Sequence, residues 1–98
     1  MIGHNSYFSG GVQSLGFQSE RGRATVGVIT PGEYKFGTAV PEHMVITSGS
    51  LAVRLPGENW RTIAQGGSFD VAAGKEFEVR AAAAVSYICF YRDPPPAT

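Results

Sequence analysis

Apolar and polar residues alternate through much of the chain. In Leu51-Ala-Val-Arg-Leu55, the residues Leu51, Val53 and Leu55 fall on one face and Arg54 on the other. In Glu76-Phe-Glu-Val-Arg80, Phe77 and Val79 share a face opposite Glu76, Glu78 and Arg80. A period of two is the signature of a half-buried strand, because successive side chains leave a strand on opposite sides. The run Ser86-Tyr-Ile-Cys-Phe-Tyr91 is apolar on both faces and predicts a strand covered on two sides.

The breaks between these runs carry turn chemistry. They fall at Gly10-Gly11, Pro31-Gly32, Ser48-Gly49, Pro56-Gly57, Gly66-Gly67 and Gly74. Glycine admits positive φ and proline presets φ for the first central turn position. The pattern predicts strands over 12–18, 23–30, 34–39, 43–48, 51–55, 60–64, 68–72, 76–82 and 85–92, with no helix longer than one turn. The alanines 81–84 read as a strand end and a turn. Short strands at this spacing signal an all-β sandwich or barrel, here one domain over 1–92 followed by a proline-rich flexible tail over 93–98.

Length and charge narrow the function. A chain of 98 residues is enough for one domain, and its single cysteine offers no disulfide framework. So small a core favours association, and a homo-oligomer is expected. Lysine plus arginine and aspartate plus glutamate each number 8, with no basic run, so no nucleic-acid partner is expected. No stretch approaches the length of a membrane-spanning helix and residues 1–11 lack a secretory pattern, so no membrane partner is expected and the location expected is cytoplasmic.

Three segments resemble the pyrimidine/purine nucleoside phosphorylase family of small cupins. They are Tyr7-Phe-Ser-Gly-Gly-Val-Gln-Ser-Leu-Gly-Phe17, the stretch from Gly22 through Pro31-Gly-Glu-Tyr-Lys-Phe-Gly-Thr-Ala-Val-Pro-Glu-His-Met44 to Gly49, and Ser86-Tyr-Ile-Cys-Phe-Tyr91. The resemblance implies a cupin-type β-barrel, a jelly-roll-like double sheet, and usually a homodimer. It also implies phosphorolysis of purine and pyrimidine ribonucleosides to free base and ribose 1-phosphate. Inorganic phosphate is then the co-substrate and no other cofactor is expected. One departure is Val71-Ala-Ala-Gly74, where a proline is expected; it leaves that turn's geometry open.

Many cupins hold a metal with two histidines one residue apart, a following glutamate and a later histidine. Glu42, seven before Gly49, suits the glutamate slot. Residues 36–40 hold no histidine, and the later slot falls near Phe77. No metal site is therefore expected, which disfavours a metal-dependent oxidoreductase. His43 reads as a solvated strand residue and His4 as an ordinary residue near the terminus.

Within the resemblance, Arg23 is the candidate for phosphate, since a guanidinium offers a planar fork of donors. Taken alone, Arg23 reads as a surface arginine with its head in water; the resemblance makes the phosphate role its equal. Glu42 is the candidate for the ribose hydroxyls, against a charged turn residue after Pro41. Thr38, in phase with Tyr34 and Phe36, offers a hydroxyl to phosphate or sugar, against a threonine that merely suits a strand. Tyr87 and Tyr91, on one face of the last strand with Cys89, are candidates to contact the base. Phe36 and Met44 are candidates for an apolar wall, and equally for ordinary core. Cys89 reads as an inert buried thiol. Tyr7 and Phe8 read as covering a barrel edge or reaching a partner subunit, and Trp60 as a packing or interface residue. The rival reading is a non-catalytic cupin that binds a small polar ligand in the same pocket.

Overall fold

A computed structural model describes residues 2–92. It contains ten strands: β1 Gly3–Tyr7, β2 Val12–Ser19, β3 Gly22–Ile29, β4 Gly32–Gly37, β5 Glu42–Ser48, β6 Leu51–Arg54, β7 Arg61–Ile63, β8 Ser68–Val71, β9 Glu76–Ala81 and β10 Val85–Tyr91. The one helical element among the described residues is a 3-10 turn, Phe8–Gly10. The expected tail, 93–98, lies outside the described residues.

The strands form two antiparallel sheets. Six lie in the order β1-β2-β3-β10-β5-β8 and four in the order β4-β9-β6-β7. Strand pairing does not join the two sheets into a ring, so the expected barrel is an open double sheet. Between the sheets lies the core, with Val12, Ile29, Ile46, Leu51, Val53, Val79 and Val85 sealed from solvent. Burying each of these side chains contributes roughly 1.5–3 kcal/mol. Leu51, Val53, Phe77 and Val79 face inward, as their alternation predicts.

Two features depart from the sequence reading. Strand β1 pairs with β2 from Gly3↔Gly16 to Tyr7↔Val12, although its sequence, Gly-His-Asn-Ser-Tyr, shows no apolar alternation. Backbone hydrogen bonds to the edge of β2 hold it there. Second, β10 is buried on one face only. Val85, Tyr87 and Cys89 face the core, whereas Ile88 belongs to an apolar row across the outside of the larger sheet. That row runs Leu15↔Val26↔Ile88↔Val45 in direct register, with Leu15 49% and Val26 44% exposed. His4 and Ser68 continue the register as its polar ends.

The turn at Val71-Ala-Ala-Gly74 is closed by Thr38. Its hydroxyl donates to the Ala72 carbonyl at 2.6 Å and accepts from the Lys75 amide at 3.1 Å. Gly74, at φ +71°, donates its own amide to the Thr38 carbonyl at 2.9 Å. Ala72 stands where the proline is expected, Gly74 supplies the positive φ two residues later, and the threonine clasp restrains the turn. Trp60 packs on the outside of the smaller sheet, with the Arg80 guanidinium 3.9 Å and that of Arg54 5.1 Å from its ring centre.

Candidate functional site

The space between the sheets opens at one end into a cavity of about 430 Å³. Its floor is the inner face of β10, where Tyr87, Cys89 and Tyr91 stand in line. Glu42 and Met44 enter from β5 directly beside them, because Glu42 pairs with Tyr91 and Met44 with Cys89. Arg23 enters from β3, and its guanidinium carbon sits 4.2 Å from the Tyr91 ring centre. Alternation puts these residues on one face, and strand pairing makes them neighbours.

An aromatic wall closes the opposite side. Phe36 on β4 pairs directly with Phe77 on β9, and the two rings stack at 5.6 Å. Phe8 meets Phe36 edge-on at 5.4 Å and Tyr34 at 5.0 Å, while Tyr7 approaches Phe36 at 6.4 Å. Phe8 and Ser9 reach these positions with φ of +53° and +56°. Non-glycine residues rarely adopt that region, and each costs on the order of 1–3 kcal/mol. The Phe8 ring packs on Tyr34 and Phe36 across the gap between the two sheets.

The polar groups are held in place. The Cys89 thiol donates to Glu42 Oε1 at 3.4 Å. Tyr91 shares a hydrogen bond with Thr25 at 3.2 Å. Tyr87 bonds to Ser14, which also accepts from the Asn5 amide at 3.5 Å. Burial dominates the ionisation of all four cavity groups. It raises the Glu42 carboxyl above its ordinary value, against the lowering effects of the Cys89 thiol and the Arg23 charge. It pushes Tyr87 up to about 12 and raises both Tyr91 and Cys89 strongly. The tyrosines are therefore neutral hydrogen-bonding groups near neutral pH, and the thiol is a donor rather than a nucleophile.

Of the residues singled out in the sequence, Arg23, Glu42, Phe36, Met44, Tyr87 and Tyr91 come together around this cavity. Thr38 does not. Strand β4 ends at Gly37, so the alternation that set Thr38 in phase with Phe36 stops one residue short. Its hydroxyl is committed to the backbone of the 72–75 turn. Tyr91 also differs from expectation, because the Arg23 guanidinium covers one face of its ring. The aromatic platform consists instead of Phe36, Phe77, Phe8 and Tyr7. Phe77 was legible as an inward residue, and its register opposite Phe36 brings it to the cavity.

The donors here do not fit a metal centre. His43 lies on the outer face of β5, its Nδ1 2.9 Å from Asp70 Oδ1. Among the described residues, no three histidine, cysteine, aspartate or glutamate side chains converge. No helix there is long and apolar enough to cross a membrane.

Comparison with known proteins agrees with this architecture. A family model described as pyrimidine/purine nucleoside phosphorylase matches residues 2–91. A protein named pyrimidine/purine nucleoside phosphorylase from Pseudomonas putida is 50% identical over 90 residues, covering 91% of this chain and 96% of its own. A crystal structure of a protein of unknown function from Vibrio parahaemolyticus superposes with a TM-score of 0.87 at 47% identity, covering 91% of this chain and 96% of that one. A cupin domain of a transcriptional regulator from Enterobacter cloacae superposes with a TM-score of 0.68 at 22% identity, over 86% of this chain and 96% of that one. That last likeness concerns the fold, which is a cupin.

Proposed function

The chain belongs to the pyrimidine/purine nucleoside phosphorylase family, and on that premise we propose that it cleaves purine and pyrimidine ribonucleosides with inorganic phosphate and without a metal ion. The observation that carries this reading is the meeting of Arg23, Glu42 and an aromatic wall in one cavity. A phosphate oxygen attacks C1′ while the C1′–N bond breaks. Its electron pair leaves with the base nitrogen, which takes up a proton. The products are free base and α-D-ribose 1-phosphate.

Each side chain has a task that its chemistry suits. Arg23 holds the phosphate through two parallel N–H donors, with its own plane braced against Tyr91. Glu42 accepts from the ribose hydroxyls and faces the positive charge that develops on the sugar. The rings of Phe36, Phe77 and Phe8 stack on the base. Stacking uses a π-face that every base has, which suits a broad range of bases. Met44 completes the apolar wall, and Tyr87 offers a neutral hydroxyl.

Incubating the protein with a panel of nucleosides, with and without inorganic phosphate, tests this reading. Phosphate-dependent release of both base and ribose 1-phosphate supports it, and Arg23→Ala should cut turnover by about 100-fold. Ligand binding without product in the presence of phosphate would replace it with a non-catalytic binding protein.

The same proposal includes a homodimer. The row Leu15–Val26–Ile88–Val45 carries no charge and has polar ends, on a sheet face about 24 Å across. A second copy related by a two-fold axis sets apolar row against apolar row. Sedimentation should give a dimer for the native chain and a monomer for Val26→Glu. A monomeric native chain overturns this part.

A further inference from the structure

A second hollow, of about 520 Å³, lies beside the cavity at the same end of the larger sheet. Arg21, Arg23, Arg92 and His43 line it, together with Phe90 and Tyr91, and among the described residues no carboxylate does. Three of the chain's six arginines thus face one concave surface. Their placement is braced. The Arg21 guanidinium lies 5.2 Å from the centre of the Phe90 ring, and the His43 imidazole stacks against that ring at 6.4 Å. Asp70 reaches His43 at 2.9 Å and Arg92 at 3.8 Å. One acidic side chain therefore anchors two of the lining groups and leaves an excess of positive charge. Charge focused in a hollow concentrates anions there.

Arg23 and Tyr91 line both this hollow and the cavity, so one stacked pair forms the wall between them. We propose that the outer hollow is an oxyanion dock, in which Arg21 and Arg92 hold a phosphate dianion outside the cavity and pass it to Arg23. The delivery role rests on the phosphorylase reading; the binding itself does not. A phosphate monoester shares the same chemistry, so the dock could equally serve release of the sugar phosphate.

The test uses the double variant Arg21→Gln/Arg92→Gln in the full chain, with Arg61→Gln/Lys75→Gln, outside the hollow, as a control for net charge. Both docking arginines are exposed, so the fold should persist, and circular dichroism checks it. Inorganic phosphate is titrated calorimetrically without nucleoside, then ribose 1-phosphate. The double variant should bind inorganic phosphate about tenfold more weakly at low ionic strength, and its phosphate KM should rise by a similar factor at unchanged nucleoside KM. Added salt should erase the difference, because exposed charges are screened within about 8–10 Å.

Equal phosphate binding in native and double-variant protein overturns the dock, as does an equal loss in Arg61→Gln/Lys75→Gln. Binding of ribose 1-phosphate but not inorganic phosphate overturns the delivery role. If no nucleoside is cleaved, the phosphorylase reading fails, while arginine-dependent phosphate binding still upholds the dock. If cleavage proceeds with an unchanged phosphate KM, the delivery role fails and the phosphorylase reading stands.

Discussion

Tyr87 lies against the bare backbone of Gly27, its direct partner across β10 and β3; a methyl group there would stand 2.5 Å from both Cζ and the hydroxyl oxygen. The φ of Gly27 is not positive, so the backbone does not require glycine. The ring does. Gly27→Ala should force the buried Tyr87 ring into the cavity or strain the sheet. The cost should be about 1–3 kcal/mol of stability. Denaturant titration measures that loss, and nucleoside KM should rise with it.

Glu42→Gln separates function from stability. The folded carboxyl holds its proton more tightly than the unfolded one, so ionising it opposes folding. The native chain is therefore destabilised as pH rises from the ordinary carboxylate range through the raised folded value, and the penalty is constant above it. A glutamine keeps an oxygen for the Cys89 thiol without the charge. The variant should unfold at a higher denaturant concentration than the native chain at pH 7, and the gap should close on acidification. Turnover should fall by at least about tenfold, since the neutral amide cannot balance charge on the sugar. A variant less stable at pH 7 would contradict the burial argument.

Phe8→Ala removes a ring from the aromatic wall without opening the core, because Phe8 is 46% exposed. Loss of one ring that stacks on a base is worth about 1–3 kcal/mol. Nucleoside KM should rise roughly tenfold for purines and pyrimidines alike, with phosphate KM unchanged. Steady-state kinetics with one nucleoside of each kind checks this.

Thr38→Val distinguishes a clasp from a substrate contact. Valine matches the shape of threonine but removes the hydroxyl's hydrogen bonds to the 72–75 turn. Stability should drop by about 1–3 kcal/mol. At a temperature where the variant is fully folded, kcat/KM should stay within about twofold of the native value. A selective kinetic loss would return Thr38 to the site.

The inward faces of β6, β9 and β10 were legible because burial on one side imposes a period of two on the residue types themselves. Arg23, Glu42, Met44 and Phe36 were legible through the family resemblance. The approach of Phe36 to Phe77 was not, since it depends on the register between β4 and β9, which pairs these two residues 41 positions apart in the chain. Strand β1 was hidden because an edge strand held by backbone bonds needs no apolar pattern. The outer face of β10 was misread for the opposite reason. Ile88 is apolar in sequence, and only the surrounding sheet shows that it joins an exposed row with Val26 and Leu15.

Strand β10 carries the cavity floor, yet it follows in the chain both strands that flank it, β3 and β5. As the polypeptide emerges from a ribosome, β3 and β5 must wait with their inner edges unpaired until residues 85–91 arrive. No shorter precursor holds Glu42 against Cys89 or Arg23 against Tyr91. A nascent chain arrested before Val85 would lack the cavity floor, and its two open edges would invite chaperones or aggregation. Insertion of β10 is thus the step that pairs both waiting edges and completes the cavity floor.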